Sequence, residues 1–67
     1  MKRIDETKVI IAELRKELSI EEVAVELERS VASIFKWSKG ISEISKGDFG
    51  LLKDLQRRVN NGEWTRA

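Results

Sequence analysis

The sequence predicts an all-α fold with four, or at most five, short helices. Apolar residues recur at helical spacing along most of the chain, helix-favouring charged residues fill the positions between them, and proline is absent. A chain of 67 residues suits one small domain, near the lower size limit for a core without disulfides or metals. We therefore expect one domain over residues 1–67, with a core over about residues 5–60 and a tail over 61–67.

The first helix is expected to begin near Asp5 or Thr7, because both are acceptable N-cap residues. Arg15 and Lys16 would lie in its last turn, where cations interact favourably with the helix dipole. Its apolar side is formed by Ile10, Ile11, Leu14 and Leu18.

Two helices joined by a very short turn follow. Residues 19–22 read Ser-Ile-Glu-Glu, which is the pattern of a capping box and predicts the start of the second helix. Ser30 is the expected N-cap of the third helix, and Gly40 is a suitable left-handed residue to end it. Because only two or three residues separate the helices, we expect them to cross steeply. The inner side of the second helix is formed by Ile20, Val23, Ala24 and Leu27.

The third helix has an inner and an outer half. With Ile34 facing the core, a rotation of about 100° per residue places Val31 and Trp37 on the inner half, with Ser30 and Ser38. The outer half is formed by Ala32, Lys36 and Lys39.

A fourth helix is expected after the loop-like segment ISEISKGD, with Ser45 or Asp48 as its N-cap. The segment Asn60-Asn61-Gly62 would end it. In the charged tail, Trp64 either folds back over the core or packs against a second subunit. The apolar face of the fourth helix is formed by Phe49, Leu52, Leu55 and Val59.

Composition excludes several kinds of chemistry. The chain has no cysteine and no histidine, so it has no disulfides, Cys/His zinc sites, thiol nucleophiles or His-based triads. We expect neither an enzyme nor a bound metal or cofactor, since so small a helical domain has little volume for a catalytic pocket. We also expect a cytoplasmic protein, because no apolar run approaches the ~20 residues that span a membrane and no signal-peptide pattern is present.

Charge is distributed unevenly along the chain. The net charge is +1, but residues 1–28 hold five Lys/Arg against eight Asp/Glu, whereas residues 29–67 hold eight against four. The first part therefore carries −3 and the second +4. This asymmetry suits a nucleic-acid partner, and it is equally compatible with an unevenly charged, solvated surface.

The segment LSIEEVAVELERSVASIFKWSKG, residues 18–40, resembles the helix-turn-helix of the Cro and Xre class of phage and bacterial regulators. That resemblance implies a domain of the lambda-repressor-like type. The sequence departs from the family pattern at two positions. Glu28 stands where a glycine is usual in the turn, and Ile20 stands where a glutamine usually contacts the DNA backbone. The matching residues are Leu18, Ser19, Glu21, Glu22, Ala24, Leu27, Ser30, Ile34, Trp37 and Gly40.

The resemblance implies that the third helix enters the major groove of double-stranded DNA. Base-facing positions would be held by Val31, Ala32, Ser33 and Lys36. Phosphate contacts would be made by Ser19, Ser30, Lys39, Ser42 and Lys46. Several have a structural alternative, because serines also cap helices and lysines near a helix end favour its dipole. Phe35 is expected to cover the fourth helix, with a thymine methyl group or a protein partner as alternatives, and Trp37 to lie in the core.

The function implied by the resemblance is a transcriptional regulator, more specifically a repressor, in a bacterial or phage-infected cell. A DNA-binding accessory factor of the excisionase or small-terminase kind is one alternative. A helix-turn-helix turned into a protein-binding module, such as an antirepressor, is another. We expect a homodimer on an inverted repeat. Its contacts would come from Leu55, Val59 and Trp64.

Overall fold

The computed structural model describes residues 2–66, which form four α-helices. They are α1 (Arg3–Leu14), α2 (Ile20–Leu27), α3 (Val31–Lys39) and α4 (Lys46–Asn60). Helices α1 and α2 each pack against both α3 and α4. The all-α prediction is confirmed, and none of the helices described has the length and apolar character to cross a membrane.

Helix α1 begins earlier than the sequence predicts, at Arg3 rather than near Asp5 or Thr7. The Thr7 side chain does not cap the helix, because its hydroxyl donates to the Arg3 carbonyl at 2.7 Å, which lets Thr7 be buried in the core. The prediction for the other end is also wrong. The helix stops at Leu14, so Arg15 and Lys16 lie in the turn after it.

Helices α2 and α3 begin and end where the sequence predicts. The Ser19 hydroxyl accepts from the Glu22 amide and the Glu22 carboxylate accepts from the Ser19 amide, which completes the capping box. Ser30 caps α3 through the Ser33 amide, and Gly40 ends α3 with a left-handed φ of 73°. These signals are local in sequence, so they could be interpreted without knowledge of the tertiary structure.

Helix α4 begins with Ser45 as its N-cap, the first of the two residues predicted. The preceding loop is not merely a connection, because Ile44 is buried in the core. Helix α4 ends at Asn60, followed by the Asn61-Gly62 turn.

One apolar core lies between the helices and includes residues from α1 through α4 and from two connecting segments. Phe49, Val59 and Trp64 are partly buried against it. Among residues 2–66, every buried side-chain nitrogen or oxygen has a hydrogen-bond partner. The core residues are Ile10, Ile11, Leu14, Leu18, Val23, Ala24, Leu27, Ile34, Trp37, Ile44, Leu52 and Leu55.

Candidate nucleic-acid interface

Helix α3 is anchored from behind by Ile34 and Trp37, which are 0% and 7% exposed. Its inward direction therefore lies midway between these two residues, about 30° from Ile34 alone. The prediction that Val31 lies on the inner half is wrong, because this rotation turns it outward and leaves it 41% exposed. The exposed face is formed by Val31, Ala32, Phe35, Lys36 and Lys39.

The predicted placement of Phe35 over α4 is also wrong. Phe35 is 45% exposed and does not belong to the core cluster. Measured from the direction midway between Ile34 and Trp37, it points about 130° away from the core, compared with about 100° when Ile34 alone sets that direction. The Nζ of Lys39 lies over its ring, 5.6 Å from the ring centre.

The start of α3 is held by two serines. The Ser30 Oγ accepts from the Ser33 amide at 3.2 Å and also donates to the Ser33 Oγ at 3.1 Å. The cap therefore uses the Ser30 oxygen as its acceptor, and the two hydroxyls lie within hydrogen-bond distance of each other.

The end of α3 gains a cation from another helix. A Cβ atom on Gly40 would lie 3.1 Å from the Cδ of Lys8, so the stem of this α1 lysine passes close to the glycine. Gly40 thus satisfies both the left-handed backbone and this close approach. Lys8 joins Lys36 and Lys39 near the end of α3. Sequence spacing could not have placed it there, since only tertiary packing brings α1 to α3.

The turn between α2 and α3 contains Glu28 in a left-handed conformation, with φ 54° and ψ 43°. The side chain of the next residue, Arg29, reaches α4. Its Nε lies 3.1 Å from both carboxylate oxygens of Asp48, which is only 7% exposed. The Ser45 hydroxyl also donates to Asp48, at 3.0 Å. This network fixes the start of α3 relative to the start of α4.

The eight basic residues between positions 29 and 67 are four arginines and four lysines, and the two types differ in whether they form ion pairs. All four arginines form ion pairs with carboxylates: Arg29, Arg57, Arg58 and Arg66. None of the four lysines forms an ion pair with another residue in the range 2–66: Lys36, Lys39, Lys46 and Lys53. The sequence indicates positive charge through Arg57 and Arg58, but both are neutralised by neighbours such as Asp54. The side-chain hydrogen bond from Arg57 lowers the pKa of Asp54.

The predicted phosphate contacts are dispersed. Ser19 is engaged in the capping box, Ser42 is half-buried in the loop after α3, and Lys46 is exposed in the first turn of α4. Within the part of the chain described here, no side-chain hydrogen bond or ion pair links Ser42 or Lys46 to α3. The residues that the structure does bring together on one helix are Ser30, Ser33, Lys36 and Lys39.

The tail packs along α2. The Trp64 indole donates to the Glu26 carboxylate at 3.0 Å, and the Arg66 guanidinium donates to Glu22 and to the Glu17 carbonyl. The arginine also lies 5.5 Å from the centre of the Trp64 ring. The hydrogen bond from Arg66 lowers the pKa of Glu22 to about 2, and the hydrogen bond from the Ser19 amide is the second cause.

Of the two placements considered for Trp64, the structure shows the one in which it folds back on its own domain. Leu55, considered as a partner contact, is 0% exposed and has no surface available. Val59 and Trp64 remain half-buried. Ala67, the last residue of the predicted tail, lies outside the described residues.

Within residues 2–66, no group of three or more acidic side chains is placed to hold a metal ion. The candidate interface is the exposed face of α3. No protein-family model, curated protein or solved structure matches the chain.

Proposed function

We propose that this protein is a sequence-specific DNA-binding transcriptional regulator, a repressor of the phage or mobile-element type. It would act in the cytoplasm of a bacterial or phage-infected cell. The observation that carries the proposal is the exposed face of α3, which has small side chains beside Phe35, no acidic residue, and two lysines that form no ion pair within residues 2–66. A face of this kind suits the major groove, where side chains approach base edges between two rows of phosphates.

Four side chains of α3 contact bases in this proposal. Lys36 donates to the O6 and N7 atoms of a guanine, and Ser33 donates to a base or a phosphate. Val31 and Ala32 contact thymine methyl groups. The phosphate contacts proposed are Ser19, Ser30, Lys39, Ser42 and Lys46.

The proposal includes a homodimer on an inverted repeat, because two half-sites double the number of phosphate contacts that so small a domain can make. The surface available for it in the tail region is formed by the part-exposed Val59 and Trp64. Sedimentation of the wild type and of Trp64→Ala tests this part. A wild-type dimer that dissociates in Trp64→Ala supports the proposed homodimer. If the wild type and the variant are both monomeric even at high concentration, the homodimer is contradicted.

The experiment that tests the function is selection of bound duplexes from a random DNA library, followed by affinity measurements with Lys36→Ala. We expect an enriched inverted repeat and a loss of about 1–3 kcal/mol in the variant, confined to one base position. Lys53→Ala is the matched control, since Lys53 is also exposed and forms no ion pair within residues 2–66, but belongs to α4. It should bind like the wild type.

Other outcomes would favour the alternative functions. Weak, salt-sensitive binding without enrichment would point to an accessory DNA-binding factor. No binding to DNA would favour a protein-binding module, for which the exposed Val31 and Phe35 are the specific observation.

A further inference from the structure

Two exposed apolar side chains form a row along one edge of α3. Val31 and Phe35 are separated by one helical turn, and they are 41% and 45% exposed. A second row, formed by Ala32 and Lys36, runs beside it. An exposed phenylalanine is a poorer helix former than alanine, and the contact with Lys39 is of the weak, solvent-exposed kind. Neither local effect accounts for an aromatic residue at this position.

The surroundings of the row favour DNA over an apolar protein surface. The row begins at the first residue of α3. When a helix lies in the major groove, its N-terminal residues are the ones that approach base edges. Ser30 and Ala32, on either side of Val31 in the sequence, are small and allow close approach, whereas Lys36 and Lys39 supply positive charge. The C5-methyl of thymine is the apolar group that base pairs present in that groove.

We propose that Val31 and Phe35 act as a pair that reads thymine methyl groups, which makes Phe35 a specificity-determining residue. This inference rests on the proposed DNA-binding function and adds the chemistry of the half-site. Four residues of helix rise by about 6 Å, and successive bases by about 3.4 Å. The two methyl groups therefore lie within about two base-pair steps of each other.

The test replaces each thymine of the selected duplex, one at a time, by deoxyuridine, which lacks the methyl group and keeps the same hydrogen-bonding groups. For the wild type we expect binding about fourfold weaker at each of two nearby positions in a half-site, besides any thymine that faces Ala32, since about fourfold is the effect of one buried methyl. Phe35→Ala should be insensitive to the substitution at one of these positions, and Val31→Ala at the other.

Leu51→Ala is the matched control, because Leu51 is 51% exposed but lies on α4. It should retain both deoxyuridine effects. Thermal melting of all variants shows that each is folded, which is expected for substitutions of exposed side chains.

The outcomes separate this inference from the function on which it rests. Specific binding to a selected duplex that no deoxyuridine weakens would overturn the thymine-reading role alone. Phe35→Ala and Val31→Ala variants that keep both deoxyuridine effects would overturn it as well. Absence of DNA binding by the wild type would overturn both proposals, and capture of an acidic protein lost in Phe35→Ala would then identify the row as a protein contact.

Discussion

The exposed face of α3 and the surface formed by α2 with the tail use their charges in opposite ways. On α2, Glu22 and Glu26 are bonded to Arg66, Arg58 and Trp64, so the charges are largely satisfied within the chain. On α3, Lys36 and Lys39 form no ion pair with any residue of the range 2–66. The difference teaches that the net charge of a segment does not show which of its charges can bind a partner.

The side-chain chemistry explains this division. A guanidinium presents several N–H donors in one fixed plane and so suits a fixed ion pair, as at Arg29, whose Nε donates to both carboxylate oxygens of Asp48. A lysine is a flexible point charge, and an unpaired one remains available to phosphates or base edges. The four arginines between positions 29 and 67 are therefore held in ion pairs, and the lysines of that range are the charges that the proposed function can use.

The largest effects are expected from the two tryptophans. Trp37 supports the exposed face of α3, and Trp64 lies on the surface formed by α2 with the tail. Trp37→Ala removes a nearly buried side chain that anchors α3 and should lower the free energy of unfolding by about 3–5 kcal/mol. Trp64→Ala removes a half-buried ring and one hydrogen bond and should cost about 1–2 kcal/mol. Urea unfolding measures both values. Equal losses would show that the tail, and not only α3, is an essential part of the core.

The second prediction concerns the salt dependence of DNA binding. Lys39→Ala removes a proposed phosphate contact and should reduce the slope of log K against log salt by about 0.9. Arg66→Ala is the matched control, because Arg66 is already bonded to Glu22 and Glu17, and its slope should equal that of the wild type. Titrations of the selected duplex between low and moderate salt provide the slopes. A larger reduction in Arg66→Ala would place DNA on the tail instead.

The third prediction concerns the turn that separates the two surfaces. Glu28 has a left-handed backbone, which glycine adopts without the steric cost of a Cβ atom. Glu28→Gly should therefore raise the free energy of unfolding by about 0.5–1 kcal/mol. Glu28→Ala keeps the Cβ atom and should show no such gain, which separates backbone strain from loss of the carboxylate. Equal stabilities of these two variants would argue against strain at this turn.

The smallest expected effect is a pH dependence confined to the α2 and tail surface. The pKa of Glu22 is lowered from 4.5 to about 2, so its interactions contribute to stability above pH 4.5 and are lost as the pH falls toward 2. The NMR signal of the Ser19 amide, which donates to Glu22, should follow this titration. Signals at the centre of α3 should stay constant through it, because α3 contains no acidic residue. Glu22→Gln abolishes the effect at Ser19, and a midpoint near 4.5 in the wild type would contradict the lowered pKa.

Features set by a few neighbouring residues could be predicted from the sequence. The caps at Ser19, Ser30 and Gly40 each depend on a residue and its neighbours a few positions away. Most inward residues of the helices followed from their spacing, but Val31 is exposed and Leu18 lies after the end of α1. The start of α1 was missed because the Thr7 hydroxyl has an alternative partner, a backbone carbonyl of its own helix.

Features that depend on tertiary contacts could not be predicted. The pairs Arg29 with Asp48 and Arg66 with Glu22 join residues far apart in sequence, so no periodicity indicates them. The orientation of Phe35 was missed because one inward residue does not define the rotation of a helix, whereas Ile34 and Trp37 together do. The part of the candidate site that was missed is therefore the part set by how α3 sits on the core.

The most direct test of α3 as the DNA-binding helix is an NMR titration of the wild type with the selected duplex. The two indole signals serve as built-in reporters, Trp37 on α3 and Trp64 on the surface formed with α2. We predict that amide signals of residues 31–39 and the Trp37 indole shift on binding. Shifts confined to Trp64 and α2, with the signals of α3 unchanged, would contradict the assignment.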